Sequence, residues 1–95
     1  MWQLHGSDPE VSFRLSAGDI RTVGRATGAH FIIDHPLVSR VHCRVTASAA
    51  GTLSVEDLGS TNGTYVNGTR IDRPTHLRLG DTLTVGRVTL TVQES

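Results

Sequence analysis

Three short stretches of this 95-residue chain carry side chains suited to holding a doubly charged oxyanion. "TVGRATG" (22–28) places Arg25 directly after Gly24. "HPLVSRVHCRV" (35–45) places Ser39, Arg40 and His42 after a proline-containing turn. "DLGSTNGTYVNG" (57–68) crowds Ser60, Thr61, Asn62 and Thr64 around the Asn62-Gly63 pair. Arginine forms charge-assisted, often paired hydrogen bonds to phosphate oxygens, each contributing roughly 1.5–3 kcal/mol. Short hydroxyls and loop N–H groups complete such a cradle. Two arginines, short hydroxyls and a loop amide, all beside turns, are the parts needed to bind a phosphate monoester.

The elements that must position them are strands. Apolar residues alternate or run short in "VSFRL" (11–15), "HFIID" (30–34), "CRV" (43–45), "LSVED" (53–57), "TYV" (64–66), "HLRL" (76–79), "TLTV" (82–85) and "VTLTV" (88–92). Turn residues punctuate them at 16–19, 26–28, 50–51, 80–81 and 86–87. No stretch of ten residues keeps a helical apolar period. The pattern predicts an all-β fold of about ten or eleven short strands, hence a sandwich or barrel, with function in loops gathered at one end. The predicted core is Phe13, Leu15, Val23, Phe31, Ile33, Val45, Leu53, Val55, Leu83, Val85, Leu90 and Val92. Two Asn-Gly pairs, at 62–63 and 67–68, suit tight turns that need positive φ.

Composition narrows the function classes. Nine basic and nine acidic side chains give a formal charge of zero, which argues against a general polyanion binder and leaves room for a local basic pocket. Every basic residue is arginine, as in a GC-rich bacterial genome. The lone Cys43 excludes an internal disulfide and points to a reducing compartment. No basic-then-apolar leader and no apolar run of membrane-spanning length is present. The expectation is one soluble, cytoplasmic domain over residues 1–95, nuclear if the source is eukaryotic, monomeric, and with no membrane partner. The glycosylation sequons at Asn62 and Asn67 are better explained as turns.

Other chemistries fit less well. Ser39, His42 and Asp34 invite a hydrolase reading, but no nucleophile-elbow motif accompanies them, and the chain is not expected to be an enzyme. His30, His35 and His42 follow no standard metal-ligand spacing, so neither metal nor cofactor is expected; if 30–34 is a strand, ordinary surface or loop histidines suffice. Arg21, Arg44, Arg70, Arg73, Arg78 and Arg87 read as solvated strand faces and turns. Cys43 reads as a small core residue, and Trp2 as a cover for a sheet edge or the sandwich end.

Taken in order, Gly24-Arg25, Ser39-x-x-His42, Asn62-Gly63-Thr64, Val66-Asn67-Gly68 and Leu79-Gly80-Asp81 resemble the forkhead-associated (FHA) domain family, over essentially the whole chain from Trp2 to Val92. The resemblance implies an eleven-stranded β-sandwich of two antiparallel sheets that binds phosphothreonine peptides through loops at one end. It implies that Arg25 and Ser39 contact the phosphate, that Arg40 adds charge beside it, and that Thr61 lines the phosphothreonine site. It implies that Asn62 hydrogen-bonds the peptide main chain. Gly24 and Gly63 would allow sharp turns, His42 would tie two binding loops together through its ring nitrogens, and Asn67 and Gly68 would shape the second turn and so help hold the first.

Two residues before Ser39, apolar Leu37 suggests an uncharged preference three residues after the phosphothreonine. The expected partner is a phosphothreonine-containing protein, a Ser/Thr kinase substrate or the kinase itself. Two alternatives stand beside this reading. One is an interaction or dimerisation domain of the same fold that pairs through a sheet face or edge without phosphate. The other is a barrel binding single-stranded nucleic acid, which would need aromatic platforms, and only Trp2, Phe13, Phe31 and Tyr65 are on offer; direct nucleic-acid binding is therefore not expected.

Overall fold

A computed structural model describes residues 1–7 and 9–95. Eleven strands run through them: β1 (Trp2–Ser7), β2 (Glu10–Leu15), β3 (Ile20–Gly24), β4 (Phe31–Ile32), β5 (Cys43–Ala47), β6 (Leu53–Asp57), β7 (Thr64–Val66), β8 (Thr69–Arg70), β9 (Thr75–Leu77), β10 (Thr82–Val85) and β11 (Val88–Glu94). They form a six-stranded sheet in the order β2-β1-β11-β10-β7-β8 and a five-stranded sheet in the order β4-β3-β5-β6-β9. Pairing is antiparallel except between β3 and β4. The expected all-β sandwich of two sheets is what the chain forms.

The alternation of apolar residues dictates the packing, because successive strand side chains point to opposite faces. Leu83 faces Leu90 and Val85 faces Val88 across β10 and β11, while Val45 faces Val55 across β5 and β6. These pairs, with Leu4, Val23, Ile33, Leu53 and Val92, fill the space between the sheets. Phe13 differs from the expectation: it is half-buried on the outermost strand, and its ring stacks on Phe31 with centroids 4.5 Å apart. Trp2 lies on β1, between β2 and β11, half-buried against the core at the end where Leu15 and Glu94 are its neighbours.

Two strands are shorter than the sequence pattern suggests. In "HFIID" only Phe31 and Ile32 pair with β3; Ile33 leaves the sheet, although its N–H still reaches the Gly24 carbonyl at 2.9 Å. In "HLRL" the strand is Thr75–Leu77, and Leu79, alternation notwithstanding, is exposed beside the Gly80 turn. Both segments keep their buried residue and give up strand geometry where a turn begins.

Candidate functional site

The connections β3–β4, β4–β5 and β6–β7 meet at the end of the sandwich where the β10–β11 turn also lies. Backbone bonds fasten the first two together. The N–H of Arg25 donates to Ser39 O at 2.9 Å, that of Ala26 to Arg40 O at 3.1 Å, and that of His42 to Val23 O at 2.8 Å. The approach is so close at Gly24 that a Cβ there would lie 2.1 Å from Arg40 O, so no other residue fits without moving the backbone.

His42 ties this pair to the third loop. It is fully buried. Its Nδ1 accepts the Ser39 N–H at 3.0 Å and its Nε2 meets Gly63 O at 2.8 Å. Because Nδ1 accepts a backbone donor, the ring is the Nε2–H tautomer and Nε2 donates to the carbonyl. Neither nitrogen is left to activate the Ser39 hydroxyl, which removes the hydrolase reading. His30 and His35 are engaged elsewhere: His30 Nδ1 accepts the N–H of Thr22 on β3, and His35 Nδ1 accepts the N–H of Leu37 in its own turn.

Asp57 organises the third loop from below, a role the sequence reading did not assign because the residue closes the apolar alternation of "LSVED". Its Oδ2 accepts the N–H groups of Gly59 and Ser60, both at 3.1 Å. Its Oδ1 accepts the hydroxyls of Ser60 at 2.5 Å and Thr64 at 2.7 Å. Ser60 Oγ in turn accepts the Gly63 N–H at 3.0 Å. Gly63 itself has φ +87°, a conformation L side chains rarely adopt. Burial pushes the Asp57 carboxyl up, but the four donors from Ser60, Thr64 and Gly59 outweigh it and hold the carboxyl below its ordinary value of 3.8. An Asp two residues before Gly59-Ser60 was the available signal, since Asp side chains cap their own turns.

On this frame the predicted contact residues converge. Arg25 donates its Nε to Val38 O at 3.0 Å, and its two terminal nitrogens have no protein partner among the described residues. Ser39 Oγ accepts the Thr61 N–H at 3.0 Å, which leaves its own hydroxyl hydrogen to donate outward. Asn62 donates Nδ2 to Leu37 O at 2.9 Å, so its amide oxygen faces solvent as an acceptor. Arg25, Arg40, Thr61 and Asn62 are exposed and Ser39 is half-buried.

Leu37 and Asn62 also line an open groove of about 510 Å³ together with Tyr65, Gly68, Thr84, Gly86 and Arg87. The β10–β11 turn closes on Leu37: a methyl group at Gly86 would sit 2.7 Å from Leu37 O. Arg70, expected to be an ordinary surface cation, lies over the 58–63 loop, with its Nε 2.8 Å from where a Gly63 Cβ would be.

Asn67 stands apart from the predicted contact residues, while Gly68 beside it reaches the groove. With φ values of 51° and 82° they make the two-residue turn between β7 and β8, a turn type matched to the strand twist. Asn67 Nδ2 donates to Asp81 Oδ1 at 3.1 Å and its Oδ1 accepts the Thr82 N–H at 2.9 Å. It therefore anchors the β7–β8 hairpin to the start of β10 and makes no direct bond to the 58–63 loop. Cys43 is buried beneath the site, and burial, with the nearby Asp57 charge, pushes its thiol up to about 12.

Residues 21–86 match the family model of the FHA domain. The chain belongs to the FHA-domain family. It is 38% identical over 76 residues to the ABC transporter ATP-binding/permease protein of Mycobacterium tuberculosis, a match covering 80% of this chain and 8% of that protein. Among solved structures, the FHA domain of the CT664 protein from Chlamydia trachomatis superposes with a TM-score of 0.92 at 23% identity, over 99% of this chain and 97% of that one. An FHA domain solved in a study of phosphothreonine-dependent FHA interactions gives a TM-score of 0.88 at 27% identity, over 99% and 96%. Two of the rings an aromatic base platform would need, Phe13 and Phe31, are stacked on each other between the edge strands β2 and β4.

Proposed function

We propose that this chain is a phosphothreonine-dependent protein-interaction module acting in Ser/Thr kinase signalling. The observation that carries the reading is the convergence of half-used donors. Arg25 and Ser39 each commit one polar group to the neighbouring loop and turn the remainder outward. Arg40 supplies a second cation, Thr61 the adjoining wall, and Asn62 an anchored amide for the peptide main chain. A phosphate approaching a charge of two, with three acceptor oxygens, complements that set; a carboxylate, with one charge and two oxygens, does not.

Threonine suits the site better than serine. Its χ1 is stiff, so its phosphate loses less rotamer entropy on binding, and its extra methyl contributes roughly 0.8 kcal/mol if buried. Leu37, on the lip of the groove beside Asn62, would favour an uncharged side chain three residues after the phosphothreonine. The related domain at 27% identity, solved in a study of phosphothreonine-dependent interactions, supports the same ligand. The partner would be a phosphorylated kinase substrate or a kinase carrying phosphothreonine.

The test is fluorescence anisotropy with matched phosphothreonine, phosphoserine and unphosphorylated peptide libraries. Binding should be confined to phosphothreonine. Arg25→Ala should weaken it about 10–100-fold, the loss of roughly 1.5–3 kcal/mol from a charged hydrogen-bond donor. Equal binding to all three libraries would instead favour a phosphate-independent interaction surface.

A further inference from the structure

We propose that the free edge of β2 pairs with the same edge of a second copy of this chain, antiparallel and centred on Ser12. β2 ends the six-stranded sheet, bonded to β1 along its whole length and to no described strand on its other side. The other sheet edges are β4 and β8, with two residues each, and β9, with three. β2 has six. In an antiparallel ladder, alternate residues send their N–H and C=O groups away from the partner strand, so β2 presents a row of unpaired backbone groups.

Its side chains select the occupant. Glu10, Ser12 and Arg14 are exposed on the outer face, while Val11 and Phe13 face inward, half-buried. Charges on an edge strand ordinarily discourage pairing. Here they are self-complementary in one register. With Ser12 opposite Ser12 of the second copy, each Glu10 lies opposite an Arg14, twice over. Parallel pairing in register sets Glu10 against Glu10 and Arg14 against Arg14. A one-residue slip of the antiparallel strands turns the apolar side chains to the other face, and a two-residue slip loses the opposite-charge pairs. Neither Glu10 nor Arg14 has an ion-pair partner among the described residues.

On the inner face the same register brings each Val11 against a Phe13. That covers the Phe13–Phe31 stack, which sits at the open side of the sandwich because β4, carrying Phe31, is the edge of the other sheet.

The dyad also fixes what such a pair would do. Glu10 lies toward the end of the sheet that carries the β10–β11 turn and the binding loops, and Leu15 toward the opposite end, since Trp2 pairs with both Leu15 and Glu94. Antiparallel pairing therefore points the two ligand ends in opposite directions. The dimer bridges two separate partners rather than gripping one. The bridging consequence rests on the phosphopeptide reading; the edge pairing does not.

Sedimentation velocity tests it across roughly 10 μM to 1 mM protein, the range suited to a contact smaller than the ~1,200 Å² of a standard interface. The wild-type mass should rise from 10.2 kDa toward twice that value. Glu10→Arg and Arg14→Glu should each weaken association by tenfold or more. An equimolar mixture of the two should restore it, and so should the double reversal in one chain, because both arrangements set opposite charges face to face again. All three proteins should keep the wild-type thermal midpoint and phosphopeptide affinity, so a failure here is distinguishable from failure of the proposed ligand. A wild-type chain monomeric throughout, single reversals without effect, or a mixture that stays monomeric would each overturn the proposal.

Discussion

Replacing Asp57 by alanine removes four hydrogen bonds at once, those from the Gly59 and Ser60 amides and from the Ser60 and Thr64 hydroxyls. The hydroxyls decide the magnitude. Thr64 is fully buried and Ser60 is 9% exposed, so water does not readily replace the lost acceptor. Hydrogen bonds to a charged group contribute roughly 1.5–3 kcal/mol each, so these two predict a loss of about 3–6 kcal/mol. The exposed Gly59 amide finds water and adds little. In a domain of this length each kcal/mol moves the thermal midpoint by about 4–8 °C, and the midpoint should fall by at least ~12 °C. Acid supplies a second check. The folded-state carboxyl sits below its ordinary value of 3.8, so its contribution is complete above that value and vanishes as pH falls through the lower, folded-state value. Calorimetry of wild type and Asp57→Ala at neutral pH and again well below 3.8 should therefore show the gap narrowing in acid. A drop under ~4 °C at neutral pH, or a gap that widens as the pH falls, would refute the assignment of Asp57 as the support of the 58–63 loop.

The same geometry sets three further outcomes. Gly24→Ala places a methyl 2.1 Å from the Arg40 carbonyl oxygen; forcing the two loops apart should cost about 2–3 kcal/mol in urea unfolding and abolish phosphopeptide binding. Asn67→Ala should destabilise by about 1–2 kcal/mol through left-handed backbone and lost bonds to Asp81 and Thr82, whereas Asn67→Gly should recover the backbone part, and neither should change peptide affinity by more than about threefold, since the turn makes no direct bond to the binding loops. Cys43, its thiol raised to about 12, should react with iodoacetamide at least about a hundredfold more slowly in native protein than in denaturant; rapid native labelling would show that the thiol beneath the site is accessible.

Period-two alternation was enough to place eleven of the twelve predicted core residues in the buried set, because a strand buried on one face leaves that trace directly. The exception, Phe13, fails for a topological reason: alternation states which face a side chain takes, not whether its strand is central or terminal, and β2 is terminal. Leu4, Val38 and Val66 are buried as well but sit in segments too short or too irregular for a period to show, and in the alternating "HLRL" the pattern does not say that Leu77 is buried and Leu79 exposed. Motif order singled out Arg25, Ser39, His42 and Asn62, and the structure gathers these four in loops bonded to one another. Two residues that support or overlie the third loop left no such trace. Asp57 looked like the end of a strand, and Arg70 like any surface cation, because their partners lie in the next loop or on the paired strand and leave no periodic mark.

Donors arranged before an anionic ligand arrives bind it at a lower ordering cost. Arg25 is held to Val38, Ser39 to Thr61 and Asn62 to Leu37, each by a bond that fixes the group without consuming its ligand-facing capacity. The Asp57 carboxylate has both oxygens occupied by donors of the 58–63 loop and by Thr64, so it orders the loop. Ordering side chains at the moment of binding costs about 0.5–1.5 kcal/mol for each rotamer-rich group. Here folding has already met much of that cost through His42, which joins both loops from inside the core. On the proposed reading, specificity would rest on a few charged contacts near the phosphate, and the groove past Leu37 would read the rest of the peptide. That division of labour explains why the residues that shape the loops, Gly24, His42, Asp57 and Gly63, are as restrictive as those that would touch the ligand.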